Sequence, residues 1–133
     1  MKKLLSLFLF FSLSFTLLYG QQIFQQNHQS IYFDGKEKIQ FPIHLKKNET
    51  YLIRVFQKNI DVEVSLFNDQ NQQIISTDLA DGNNGYDKIE YTAEKNATYQ
   101  LIITSVSGKI ISDGIIKTDI TIISKADLAR RKK

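Results

Sequence analysis

The sequence predicts an all-β fold, a single domain of seven to eight short antiparallel strands packed as two stacked sheets. Apolar and polar residues alternate in short runs between residues 21 and 124, as they do in strands with one buried face. Turn residues separate the runs about every ten residues, a spacing typical of sandwiches and barrels. The contrast between apolar and polar faces favours the sandwich, and no segment in this region has the period of an amphipathic helix.

The first strands follow from this alternation and from the turns between them. A short strand at 31–33 ends at the turn pair Asp34-Gly35. Residues 39–45 alternate cleanly, but Pro42 has no amide hydrogen for a ladder, so we expect this strand at a sheet edge or with a bulge. Further strands are predicted at 51–56, 62–66 and 74–77, with turns at 46–49, 58–59 and 68–71.

The stretch from Asp81 to Thr104 has the strongest strand pattern in the chain. Inward-facing residues alternate with mainly polar ones in two runs, Ile89, Tyr91 and Ala93, then Tyr99, Leu101 and Ile103. Residues 94–97 join the two runs, and we expect an antiparallel hairpin at the centre of the fold. A last strand is predicted at 116–122 after a loop at 105–114, and the final residues favour a helix.

A short repeat occurs at two of the predicted turns. Residues 47–51 and 95–99 both have the order Lys-Asn-x-Thr-Tyr. In each copy, Asn suits the turn, Thr begins the strand and Tyr begins its inward row. Both copies also match the N-x-T pattern for glycosylation, but turn chemistry is the favoured interpretation.

The first twenty residues have the pattern of a secretory signal peptide. Two lysines precede an apolar run from Leu4 to Leu18, and the small residue Gly20 lies where a signal peptidase would cut. A membrane anchor is the alternative, but the run is shorter than the roughly 20 residues that span a bilayer. We therefore expect a signal peptide at 1–20, a β-sandwich domain at 21–124 and a basic, helical tail or linker at 125–133, with no membrane span after cleavage.

Charge is distributed unevenly along the chain. The whole sequence has a net charge of +3, but residues 21–124 hold ten lysines and arginines against thirteen aspartates and glutamates. The basic excess lies in the signal peptide and in the tail, where it is typical of a solvated helix end; contact with nucleic acid or a membrane surface is the alternative. The domain shows no basic run with interleaved aromatic residues, so we expect no nucleic-acid partner.

Two sets of residues are candidate ligand sites. Carboxylate and amide oxygens close together on a glycine-containing loop are a calcium candidate, formed by Asp78, Asp81, Asn83 and Asp87. Turn capping explains the same residues, there is no EF-hand order, and we expect no other cofactor. Four aromatic residues off the inward rows or near loops are candidates for stacking on sugars or binding a protein, Tyr32, Phe56, Phe67 and Tyr86. Packing against an adjacent sheet or the tail is the alternative for these four.

The sequence contains no catalytic constellation. There is no cysteine, which excludes a thiol nucleophile and a thiolate zinc site. The two histidines, His28 and His44, have no carboxylate at a spacing typical of a metal site, and no G-x-S-x-G nucleophile motif occurs. We therefore expect that the domain is not an enzyme.

The order of these motifs resembles the bacterial pre-peptidase C-terminal domain over roughly residues 30–124. The likeness lies in the Asn-x-Thr-Tyr turns, the strand at 61–67, Gly82 and Gly85 in the loop, and the strands at 89–91 and 98–101. The resemblance implies a jelly-roll-like β-sandwich without catalytic activity, attached to secreted peptidases and other exported enzymes. Its implied roles are binding of a substrate or surface, or assistance in secretion and folding. Here, in contrast, the domain directly follows the predicted signal peptide.

These observations together predict an exported, non-catalytic accessory or binding module. We expect it to be secreted or held in the periplasm or at the cell surface, and to bind a protein or polysaccharide or assist a secreted hydrolase. One alternative is the N-terminal accessory domain of a secreted hydrolase whose sequence is truncated here. Another is a structural or adhesive surface protein.

Overall fold

The computed structural model describes residues 30–79 and 82–132, so the predicted signal peptide and residues 21–29 lie outside it. Eight strands and one helix follow one another along the described chain. They are β1 (Ser30–Tyr32), β2 (Ile39–Leu45), β3 (Thr50–Lys58), β4 (Val62–Phe67), β5 (Gln73–Thr77), β6 (Asn84–Thr92), β7 (Ala97–Ser105), β8 (Ile115–Ile123) and α1 (Lys125–Arg131). The all-β prediction is confirmed.

The strands form two four-stranded antiparallel sheets. Sheet 1 has the order β1-β8-β3-β6, and sheet 2 has the order β2-β7-β4-β5. The first strand pairs with the eighth, the second with the seventh, the third with the sixth and the fourth with the fifth. This pairing is that of one long hairpin folded over on itself, which is the topology of a jelly roll. The predicted jelly-roll-like sandwich is therefore confirmed.

The core lies between the sheets and is built from the inward rows of both. Ile53 and Val55 of sheet 1 have no exposed surface, and the same is true of Leu101 and Ile103 of sheet 2. Each of these residues belongs to a row that alternation predicts. Burying one aliphatic side chain of this size stabilises the fold by about 1.5–3 kcal/mol, so these rows supply much of the favourable free energy of folding.

The hairpin predicted between residues 89–93 and 99–103 is wrong. β6 pairs with β3 in sheet 1, whereas β7 pairs with β2 and β4 in sheet 2. Residues 94–96 therefore carry the chain across the core as an arch. Alternation requires only that each strand turn one apolar face to the core, and two strands facing each other across a sandwich satisfy it as well as two neighbours in one sheet.

Strand β2 lies at a sheet edge, as Pro42 predicts. Within residues 30–79 and 82–132 its one partner is β7, so the missing amide hydrogen of the proline does not interrupt a ladder on its other side. The turns also fall where the sequence predicts them. Asn48, Asn59 and Asn71 have φ values of 64°, 60° and 59°, a left-handed conformation that asparagine tolerates better than most residues.

The two copies of the short repeat meet at one end of the sandwich. The backbone N–H of Lys47 donates to Oδ1 of Asn96 at 2.8 Å, and that of Asn48 donates to the carbonyl of Ala93, also at 2.8 Å. The tyrosines of the two copies, Tyr51 and Tyr99, are both buried. Both asparagines therefore lie in turns, as the favoured interpretation of the sequence has it, but both turns connect one sheet with the other.

Helix α1 follows β8 and is attached to sheet 1. Ser124 caps its start, because its Oγ accepts the backbone N–H of Asp127 at 3.1 Å. The guanidinium of Arg131 forms an ion pair with Glu90 of β6 at 2.7 Å. Among residues 30–79 and 82–132, no helix is long and apolar enough to cross a bilayer.

Candidate binding surface

Three of the four aromatic residues singled out from the sequence lie on the outward side of sheet 1. Tyr32 is in β1, Phe56 in β3 and Tyr86 in β6. Tyr32 is 81% exposed and Tyr86 is 52% exposed, so both rings are accessible to a partner. We refer to this side as the aromatic face and define it by Tyr32, Arg54, Phe56, Lys58, Tyr86, Lys88 and Lys117.

Strand alternation places these rings outside the core. Val55 and Gln57, on either side of Phe56, are both fully buried, and Asp87, next to Tyr86, is also buried. Successive side chains of a strand point to opposite sides of its sheet. Phe56 and Tyr86 therefore point away from the other sheet.

Phe56 and Tyr86 form an aromatic pair across β3 and β6. The two residues are directly opposite in the register, their ring centroids are 5.1 Å apart and their planes are inclined by 53°. Aromatic pairs at this distance attract each other beyond the effect of burial alone. The contact restricts the rotation of Tyr86, so a partner would meet a ring that is already oriented and would lose less entropy on binding.

Three lysines surround this aromatic pair. Lys117 of β8 is directly opposite Phe56 in the register, Lys58 is two residues along β3, and Lys88 is two residues along β6. In the part of the chain that the structure describes, none of the three forms an ion pair. Among the described residues, the aromatic face therefore combines two exposed rings with three lysines that form no ion pair, although Asp119 and Glu90 lie on the same side of the sheet.

Among the described residues, two carboxylates lie on the outward side of sheet 1, and each forms an ion pair. Asp119 pairs with Arg54 of the neighbouring strand, and Glu90 pairs with Arg131 of the helix. Asp119 is buried, whereas the side chain of Arg54 keeps 40% of its surface exposed. The negative charges of this side are therefore compensated locally, and the net charge near the aromatic pair is positive.

Phe67 does not belong to this surface. It ends β4 in sheet 2, beside a register shift between Leu66 and Phe67, and it is only partly exposed. Of the four aromatic candidates, three therefore lie on one side of sheet 1 and the fourth lies in the opposite sheet.

The calcium candidates are described only in part, because Asp81 lies outside the described residues. Asp78 and Asn83 are exposed, whereas Asp87 is buried and its Oδ1 accepts the backbone N–H of Leu79 at 2.6 Å. Within residues 30–79 and 82–132, no three histidine or acidic side chains come together as a metal-ligand group. Calcium binding by this loop stays a prediction.

The end of the sandwich that carries this loop is nevertheless acidic. Desolvation raises the pKa of Asp78 above its usual value, and the negative charges of Asp61, Asp87 and Glu63 raise it further. Each of these charges disfavours the ionised form of a neighbour. The acidic end and the positively charged aromatic face give the domain an asymmetric charge distribution.

Gln57 connects the loop that contains Gly82 to the start of β4. The strand prediction from the sequence missed this role. Its side chain is fully buried; Nε2 donates to the carbonyl of Gly82 at 2.8 Å, and Oε1 accepts the backbone N–H of Val62 at 2.9 Å. A signal for it was present in the sequence, because Gln57 continues the inward row of Tyr51, Ile53 and Val55 by one step of two. A polar residue in such a row is expected to be buried and hydrogen-bonded.

A cleft of about 490 Å³ lies between β2 and β8 at the open side of the sandwich. Its walls are mainly apolar and include Ile31, Phe41, Ile43, Ile120 and Ile122. His44 lies at this cleft and contacts Oγ1 of Thr98 through Nδ1 at 3.0 Å. The cleft could not be predicted from local sequence patterns, because its two walls come from strands far apart along the chain. His28 lies outside the described residues.

The chain matches no protein-family model, and no curated protein is similar to it in sequence. The resemblance to the pre-peptidase C-terminal domain therefore stays a prediction made from the order of its motifs.

Proposed function

We propose that this protein is an exported, non-catalytic β-sandwich module that binds a polysaccharide or protein through the aromatic face. The observation that carries the proposal is the position of Tyr32, Phe56 and Tyr86 on the same outward side of sheet 1. Exposed aromatic side chains are costly to leave in water and are enriched where proteins bind partners. Such a group on one side of a rigid sheet suits an extended ligand better than a deeply enclosed one.

Export is part of the proposal and depends on residues 1–20. Expression of the full chain in a bacterial host, followed by fractionation and N-terminal sequencing, tests it. We expect the mature protein outside the cytoplasm with Gln21 as its first residue. A chain that keeps Met1 and stays in the cytoplasm would contradict export without affecting the binding proposal.

Binding is tested with a panel of insoluble polysaccharides and immobilised purified proteins. We expect Tyr86→Ala to weaken binding at least about fivefold, since truncating an aromatic residue at an interface centre commonly has this effect. Ile110→Ala is the matched control, because Ile110 is 69% exposed in a loop outside the aromatic face. Equal binding by both variants and the unchanged protein would contradict the proposed surface. Hydrolysis of a peptide or ester by the pure protein, abolished by one substitution, would contradict a non-catalytic role.

A second candidate function is that of an accessory domain at the start of a longer secreted hydrolase. Its support is helix α1, which continues the chain after β8 and is tied to sheet 1 by the Arg131–Glu90 ion pair. This contact would fix the direction in which a following domain leaves the sandwich. The coding sequence downstream of Lys133 tests the idea, and an unrelated downstream sequence after a clean stop would contradict it.

A further inference from the structure

We propose that the partner of the aromatic face is an anionic polysaccharide, whose sugar rings pack on Tyr86 and Phe56 and whose negative groups pair with Lys58, Lys88 and Lys117. This inference rests on the proposed function and specifies its ligand. It predicts a specificity that exposed aromatic residues alone would not give.

The charge distribution is the first argument. Residues 21–124 are acidic overall, with thirteen carboxylate side chains against ten basic ones. The aromatic face has the opposite character, because three lysines there have no ion pair among the described residues while the carboxylates of Asp119 and Glu90 are paired. A positive surface on an acidic body attracts negatively charged ligands and orients them before contact.

The arrangement of rings and lysines is the second argument. Lys117 and Tyr86 lie on opposite sides of Phe56 in the same cross-strand row. Neighbouring strands are about 4.8 Å apart, so β8, β3 and β6 place this row across roughly 10 Å of surface. A polysaccharide crossing the strands would meet an apolar ring and a positive charge within about one strand spacing. Its hydroxyl groups would stay in contact with water.

The lysines of the aromatic face favour a polysaccharide partner over a protein partner. The buried centre of protein–protein interfaces is depleted in lysine, because desolvating an ammonium group is costly. Here lysines flank the aromatic pair on three sides. A hydrated polysaccharide lets those ammonium groups keep part of their water while they pair with its negative groups.

Single-stranded nucleic acid is the other polymer with planar rings and negative charges. It would need a longer positive path for its phosphates. The aromatic face instead has the carboxylates of Asp119 and Glu90 next to its arginine and lysines, and the domain as a whole is acidic. The observations therefore favour the polysaccharide, and nucleic acid becomes an outcome of the test.

The test compares polymers that differ only in charge. The probes are two pairs of polymers, polygalacturonate with its methyl ester and dextran sulfate with dextran. Each polymer is titrated into the mature protein purified after expression of the full chain. We expect polygalacturonate or dextran sulfate to bind at least about tenfold more tightly than its neutral counterpart. Binding should weaken as salt rises from 20 to 300 mM, because salt screens exposed charges. Of the two anionic polymers, the one that binds more tightly indicates whether the surface prefers carboxylate or sulfate groups.

Two triple variants with the same change in net charge locate the site. Replacement of Lys58, Lys88 and Lys117 by Gln should weaken binding of the anionic polymer at least about tenfold. The control replaces Lys46, Lys47 and Lys109, which are exposed in turns and loops outside the aromatic face, and should change it less than twofold. Thermal melting of both variants shows that they are folded.

Each other outcome overturns the inference in a distinguishable way. Equal binding of neutral and anionic polymers that is lost in Tyr86→Ala keeps the proposed function and rejects the charge specificity. Anionic binding that is equal in both triple variants rejects this surface as the site. Tighter binding of single-stranded DNA under the same salt conditions assigns the surface to nucleic acid. Failure to bind any anionic polymer rejects the inference. The proposed function is then tested by the panel of proteins and neutral polysaccharides alone.

Discussion

The rings of Tyr91 and Tyr99 meet edge-on with their centroids 5.6 Å apart, although the two residues belong to different sheets. Tyr91 is in β6 of sheet 1, and Tyr99 is in β7 of sheet 2. The contact therefore spans the core next to the arch that joins these strands. It shows how two consecutive strands can pack against each other without pairing in one sheet.

This contact makes the stability of the fold sensitive to alkaline pH. Burial raises the pKa of Tyr91 to about 12, with further contributions from the neighbouring Tyr99 and from the charge of Glu94. The folded state thus keeps this phenol protonated at a pH where the unfolded chain, with a value near 10.0, has lost the proton. The stabilisation is complete below about pH 10 and is lost as the pH rises towards 12. Urea unfolding of Tyr91→Phe between pH 8 and 11.5 should show a shallower decline than that of the unchanged protein, and an identical decline would contradict the prediction.

The Arg54–Asp119 ion pair should contribute measurably to stability. Asp119 is buried, so Arg54→Met would leave a carboxylate without this cation in a poorly solvated position. We expect a loss of about 1–3 kcal/mol in the free energy of unfolding. Lys95→Met is the matched control, because Lys95 pairs with Asp69 at 2.7 Å on the surface, and exposed pairs contribute about 0–1 kcal/mol. Urea unfolding of both variants and of the Arg54→Met/Asp119→Asn double variant measures the difference; equal losses from the two single substitutions would refute it.

Gln57 is expected to be the most sensitive polar residue of those described in the core. Gln57→Ala removes one hydrogen bond to the carbonyl of Gly82 and one from the N–H of Val62. Two backbone groups would lose their partners, and we expect a loss of about 2–4 kcal/mol in unfolding free energy. Gln40→Ala, which removes an exposed contact of 3.4 Å to Gln100, should change it by less than about 0.5 kcal/mol. Chemical denaturation tests both, and a neutral Gln57→Ala would contradict the assigned role.

If the loop with Asp78 and Asn83 binds calcium, calcium should stabilise the folded protein. A site with millimolar affinity or better would add about 1–3 kcal/mol at 10 mM calcium chloride, because the ion would bind only the folded chain. The rise in Tm should be absent with magnesium chloride and in Asp78→Asn. No change in Tm with calcium would reject the proposal, and an equal rise in Asp78→Asn would place the ion elsewhere.

The strands were predictable because alternation is a local property of the sequence. β2 spans Ile39–Leu45, as its pattern predicts, and Pro42 correctly indicated an edge. The partners of each strand were not predictable in the same way. β6 and β7 have the alternation and the turn of a hairpin, yet they lie in different sheets, because the pattern records only that a face is buried and not which sheet buries it.

The aromatic face was predictable only as separate residues. Tyr32, Phe56 and Tyr86 were identified as aromatic residues outside the inward rows, but nothing local indicated that Lys117 lies beside Phe56. The sequence contains no basic run with interleaved aromatic residues, whereas the fold assembles such a surface from β1, β3, β6 and β8. The positively charged character of the surface could therefore be found only from the strand order.

The most direct test of this binding surface is a titration of the ¹⁵N-labelled protein with polygalacturonate, followed by the amide chemical shifts. We predict that the largest changes fall on the strands that carry the aromatic face, at Phe56, Tyr86, Lys88 and Lys117, and that sheet 2 changes little. Changes concentrated on sheet 2 or on the cleft between β2 and β8, or no changes at saturating polymer, would contradict the assignment of the aromatic face as the binding surface for an anionic polysaccharide.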